Sequence, residues 1–123
     1  MNNHEEESMS EDRPVITDDP LYQLLRHGKI EDFNTLKQGG EAVRLSGTDL
    51  RGLDLRGLDA AGIDFSNAYF RQADVRGIDF STCNLEGASI HAAKISGAYF
   101  PPQLDPEELT LSLIHGTRMR YRR

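Results

Sequence analysis

The chain has 123 residues, a net charge of −6, no tryptophan and 37% hydrophobic residues, which bounds it to one small domain. No apolar run approaches the roughly 18 residues of a membrane-spanning helix, and the opening Met1-Asn2-Asn3-His4-Glu5-Glu6-Glu7 lacks the basic flank and apolar stretch of a secretory signal. The single cysteine, Cys83, excludes an internal disulfide framework and a multi-cysteine zinc site, so the expected compartment is cytoplasmic.

Residues 1–18 are acidic and poor in apolar side chains, and they read as a disordered leader. Residues 19–40 read as a helical cap. Asp19-Pro20 is a helix start, Leu21, Leu24 and Leu25 form one stripe, and His27-Gly28 is a stop. A second short helix is expected from about 30 to 38, with Ile30, Phe33 and Leu36 on one face, ending at Gly39-Gly40.

Residues 41–102 change character completely. The centres Leu45, Leu50, Leu55, Ala60, Phe65, Phe70, Val75, Phe80, Leu85, Ile90, Ile95 and Phe100 recur every five residues. Two places before each lie Val43, Thr48, Leu53, Leu58, Ile63, Ala68, Ala73, Ile78, Cys83, Ala88, Ala93 and Ala98. Of these 24 positions 23 are apolar, where the composition predicts about nine, and the other 36 positions hold only four apolar residues. A period of five suits neither a helix nor a long strand. It suits a path with two inward residues per short face and a bend between faces. Glycine occupies seven of the bend positions, and Asn67, Gln72, Thr82 and Ala92 share that column, so the bends must be reachable without glycine. No proline falls between Leu21 and Phe100, which leaves every backbone amide there able to join a ladder.

Units such as Leu53-Asp54-Leu55-Arg56-Gly57, Ala73-Asp74-Val75-Arg76-Gly77 and Cys83-Asn84-Leu85-Glu86-Gly87 resemble the pentapeptide-repeat family, whose units read roughly A(D/N)LXX. The resemblance spans residues 43–102. It implies an all-β solenoid: a right-handed quadrilateral β-helix with four units per coil, hence about three coils of twenty residues. One feature departs from the family pattern. The column before each centre is usually small, yet here Leu53, Leu58, Ile63 and Ile78 are large, and the small centre Ala60 follows Leu58 as compensation. The end coils of such a stack have open edges, so short α-helices are expected to cap both ends. After Pro101-Pro102, residues 103–123 form the second cap. Asp105-Pro106-Glu107-Glu108 starts a helix, Leu109, Leu113 and Ile114 follow, and His115-Gly116 ends it. The basic tail alternates Arg118, Arg120 and Arg122 with Met119 and Tyr121, a strand-like pattern suited to packing on the last coil, joining a partner's sheet or binding an anion; a frayed, solvated tail is the alternative.

No catalytic constellation is legible. His4, His27, His91 and His115 form no HxxxH or HExxH pattern, and no phosphate-binding glycine loop occurs. Cys83 lies in an inward column and reads as a buried small hydrophobe. Asp49, Asp54, Asp59, Asp64, Asp74 and Asp79 recur in one outward column, which points to structural roles rather than acid–base work. The chain therefore reads as no enzyme, with no cofactor, metal site or small-molecule substrate.

The outer surface remains. Residues twenty apart should stack, which puts Arg51 with Arg71 and His91, Arg56 with Arg76, and Asp54 with Asp74 and Lys94. Arg51, Arg56, Tyr69, Arg71, Arg76, Tyr99, Arg118, Arg120 and Tyr121 are the candidate partner-binding residues, because arginine and tyrosine are enriched at interface hot spots. The expected function is a non-catalytic protein–protein interaction or scaffold module, with the terminal helices a route to a homodimer and neither membrane nor nucleic acid as partner. The alternative implied by the resemblance is a DNA-mimicking regulator of a DNA topoisomerase. The four faces sum to −1, whereas DNA carries about eight charges over the ~14 Å that three coils would span.

Overall fold

The computed structural model describes residues 13–123. The first twelve residues of the predicted leader lie outside that range.

The chain returns to the same place every twenty residues. Parallel bridges join Asp49 to Tyr69 and Tyr69 to Ser89 on one face, Asp54 to Asp74 and Asp74 to Lys94 on the next, with Asp64–Asn84 and Asp79–Tyr99 on the other two. Each rung is built from reciprocal backbone bonds: Leu50 N–H donates to Tyr69 O at 2.9 Å and Tyr69 N–H to Thr48 O at 3.0 Å. The three layers are residues 43–62, 63–82 and 83–102. The expected all-β character appears as this register and not as continuous strands. Only one residue separates the two inward columns before the next bend, so each face contributes a single bridge.

All twelve centres point inward. Those from Leu45 to Ile90 are buried, and Ile95 and Phe100 are half-buried. The middle layer is filled by Phe65, Phe70 and Phe80 around Val75. The three rings meet edge to face with centroids 5.3–5.8 Å apart, and Phe100 stacks on Phe80 from the layer above. Asn67, Gln72 and Ala92 take the left-handed bend conformation with φ of 58–61°, an adjustment that costs side chains other than glycine about 1–3 kcal/mol. Thr82 avoids it and instead accepts the Gly62 amide on its hydroxyl at 3.0 Å. At Gly87 the backbone also has positive φ, and a Cβ there would sit 2.0 Å from Asn67 Oδ1, so that amide would have to move aside.

Two short helices close the first layer, α1 (Pro20–Arg26) and α2 (Ile30–Gln38). They bury Leu21, Tyr22, Leu25 and Phe33. Asn34 on α2 replaces a missing rung with its side-chain amide, which donates to Gly57 O and accepts the Asp59 N–H, both at 2.9 Å. Residues 13–18 depart from the expected disorder. Val15 pairs in parallel with Thr48, its N–H donating to Gly47 O and its carbonyl accepting the Asp49 N–H. An extended segment thus supplies the rung that α1 and α2 leave open.

At the other end α3 (Pro106–His115) and the tail cover the third layer. Met119 is fully buried and exchanges backbone bonds with Gly87 and Ala88. Ser112 Oγ accepts the Ile90 N–H, and Tyr121 Oη accepts the Leu85 N–H while donating to Cys83 O. The tail therefore packs on the last layer, the first of its expected options. It covers two faces only. The amides of Ile95 and Phe100, whose counterparts Val75 and Phe80 donate to the layer above, find no partner among the described residues, and Tyr99 beside them is 67% exposed. Asp19 and Asp105 occupy the N-cap positions, but neither carboxylate caps its helix. Pro20 and Pro106 begin those helices with no amide to satisfy, and the Asp105 carboxylate holds Arg122 at 2.9 Å instead.

Candidate partner-binding groove

The aspartate column is consumed by the bends. Asp49, Asp54, Asp59, Asp64, Asp74, Asp79 and Asn84 each accept the backbone N–H of the residue two places on, at 2.9–3.3 Å. Where that later residue is arginine, its guanidinium folds back onto the same carboxylate. Arg56 grips Asp54 through Nε and Nη2 at 2.9 and 2.7 Å, and Arg76 grips Asp74 at the same two distances. Arg56 also reaches across the layer to Asp74 at 3.5 Å. The arginine bonds hold the Asp74 carboxyl down at about 2 and the Asp54 carboxyl below its usual range. On this face the two aspartates and two arginines cancel, Lys94 leaves it net positive, and the dense negative charge that nucleic-acid mimicry needs is missing.

The preceding face breaks the rule once. Arg51 is gripped by Asp49 at 2.8 and 2.9 Å, and Arg26 lies 3.9 Å from the same carboxylate, which is buried and held below its usual titration range by the Arg51 bonds. One layer on, the position that would grip Arg71 is Tyr69. Arg71 is exposed and has no ion-pair partner among the described residues. Tyr69 lies flat under Arg118, whose guanidinium carbon is 5.1 Å from the ring centroid. Arg118 also donates to Tyr69 Oη and to Gly87 O, which fixes it over the cleft. Pro14, Arg51, Tyr69, Arg71, Ser89 and Arg118 line an open cleft of about 370 Å³. Three guanidinium groups line the cleft, and Asp49 holds one of them, that of Arg51.

The other sequence candidates lie elsewhere. Arg56 and Arg76 belong to the neutralised face. Tyr99 stands at the uncovered edge. Arg120 pairs with Glu108 at 3.6 Å, and Tyr121 is half-buried with its hydroxyl spent on the third layer. Cys83 is buried, its thiol donating to Ala60 O at 3.0 Å and pushed up to about 11 by burial. Among the described residues no group of three or more His, Cys, Asp or Glu side chains is placed to hold a metal ion, and no helix is long and apolar enough to cross a membrane.

Residues 63–100 match the family model for pentapeptide repeats, in eight copies. This stretch of the chain carries pentapeptide repeats. The first four units of the repeat, residues 43–62, lie outside that match, and they include Thr48, Leu53 and Leu58 in the column that the family usually fills with small residues. No curated protein and no solved structure matches the chain.

Proposed function

We propose that this repeat-bearing chain is a non-catalytic protein-interaction module that binds an acidic protein segment in the Arg51–Tyr69–Arg71–Arg118 groove. The observation that carries the reading is Arg71: it is the arginine of the stack whose paired acidic position is occupied by tyrosine, and it stands beside the guanidinium that Tyr69 orients. Guanidinium groups recognise carboxylates with paired, planar hydrogen bonds, and arginine and tyrosine together mark the energetic centres of interfaces. The repeat supplies a stiff frame that holds these side chains without ordering cost at binding. We infer further that the frame is a right-handed quadrilateral β-helix of three coils, a form supported by the twenty-residue register and the four bends in each layer.

The test is a titration of acidic peptides against the full chain and its Arg71→Glu variant at low salt. Binding that Arg71→Glu weakens by tenfold or more, and that salt weakens in both, is the expected result. Peptides that bind both chains equally remove the groove as the binding surface.

A further inference from the structure

We propose that the open edge of the third layer is a strand-addition site for a partner protein, and that it takes an extended segment whose outward residue is acidic and whose flanking residues are apolar. The groove plays no part in this inference. The Leu85 and Ile90 faces of that layer are closed by Met119, Tyr121, Ser112 and Leu113. The Ile95 and Phe100 faces are bare. In the middle layer the amides of Val75, Gly77 and Phe80 donate to Lys94, Ser96 and Tyr99 above, and the carbonyls of Ala73 and Ile78 accept from Lys94 and Tyr99. One layer on, the equivalent amides of Ile95, Gly97 and Phe100 and carbonyls of Ala93 and Ala98 have no partner among the described residues. The side chains differ in the same way. Val75 and Phe80 are buried, whereas Ile95 and Phe100 are half-buried and Tyr99 is 67% exposed. An edge that holds donors, acceptors and apolar side chains in register is a template for another strand. Val15 takes such an edge at the opposite end of the stack, pairing in parallel with Thr48.

Charge selects the occupant. Asp54, Asp74 and Lys94 stand in one outward column, each bridged to the next. Arg56 and Arg76 hold the two aspartates, but Lys94 is exposed and has no ion pair among the described residues. A strand added in the same parallel register sets its own outward residue above Lys94 at about 4.8 Å, where a carboxylate is attracted and a cation repelled. The residues on either side of it point inward and cover Ile95, and those of a second unit cover Phe100. A second copy fits less well, because α3, fixed to the Ile90 face, keeps two such ends about 10 Å apart.

The probe is a labelled peptide of two tandem units, Ala-Asp-Leu-Ser-Gly-Ala-Asp-Leu-Ser-Gly, titrated against the full chain. Binding is expected to slow amide exchange at Ile95 and Phe100 by about tenfold or more. N-methylation of both peptide aspartates removes the N–H groups aimed at the Ala93 and Ala98 carbonyls and should weaken binding by about tenfold or more. Equal binding of the methylated peptide overturns strand addition. Lys94→Glu should weaken the native peptide and restore affinity to one carrying lysine in place of the first aspartate. Retained affinity for the native peptide in that variant overturns the charge pairing. Arg71→Glu should change nothing, and a loss of binding there assigns the peptide to the groove and overturns the edge as its site. No binding at about 1 mM peptide overturns the proposal outright. So does a free chain in which Ile95 and Phe100 amides already exchange as slowly as those of Val75 and Phe80, a doubled mass in light scattering then assigning the edge to a second copy.

Discussion

Two adjacent faces of the stack carry arginines one layer apart, Arg51 with Arg71 and Arg56 with Arg76. On the second face an aspartate precedes each arginine by two residues, and all four charges are mutually satisfied. On the first face Asp49 satisfies Arg51, but Tyr69 stands where an aspartate would satisfy Arg71. Backbone, register and inward columns are shared. One residue type at one outward position therefore separates a wall of paired arginines from a groove in which Arg71 lacks its aspartate, because the aspartate does two jobs, closing the bend and holding the arginine, and tyrosine does neither.

The largest expected effect strikes what the two faces share. Phe70 is buried behind the bend that carries Arg71 and packs edge to face on Phe65 and Phe80, so Phe70→Ala should cost about 3–5 kcal/mol and lower the urea midpoint markedly. Unchanged stability would mean that the middle layer is not a packed core. Next comes the substitution that would make the first face like the second. Tyr69→Asp supplies Arg71 with a carboxylate and removes the ring under Arg118, so affinity for acidic peptides should fall by about tenfold or more with the fold intact by circular dichroism. Retained affinity would show that the difference between the faces has no bearing on binding.

A smaller effect lies in acid. Asp74 titrates at about 2 in the folded chain, below the unfolded value of about 3.9. Its contribution is therefore present above pH ~4 and is lost as pH falls toward 2. Asp74→Asn should leave a shallower acid limb in urea midpoints measured from pH 7 to 2, and an identical limb would refute the pairing as a source of stability. The smallest effect is expected at Arg56, whose ion pair with Asp54 is half-exposed and screened by solvent. Arg56→Ala should change peptide affinity not at all, and any loss would extend the binding surface beyond the groove.

Much of this architecture was legible in the chain. Two apolar columns, each recurring every five residues, predicted the inward side chains, and the one exception, Thr48, is buried as well, with its hydroxyl donating to Leu45 O. Helix ends followed from Asp-Pro and His-Gly pairs. The stacking of Asp54, Asp74 and Lys94 on one face followed from the twenty-residue register that the family resemblance implied. The groove was only half legible. Arg51, Tyr69 and Arg71 share that register, but Arg118 comes from a tail 49 residues away whose path no periodicity fixes. Val15 and Asn34 were missed because each supplies a single rung, and one rung leaves no pattern. Asp49 was expected at the surface with its column, yet α1 covers it, Tyr22 donating its hydroxyl to the Asp49 carbonyl at 2.6 Å.

The tail's seat on Ala88 gives chain length an angular meaning. With four units to a layer, inserting one five-residue unit before Gly87 would swing Arg118 by a quarter-turn about the stack axis, away from Tyr69 and onto another wall. Inserting four would restore its bearing and lift it by the ~4.8 Å of one rung. In this molecule insertions in fives act as a dial and insertions in twenties as a spacer, so the cationic cluster is set by how many units separate Tyr69 from Gly87 as much as by which residues they contain.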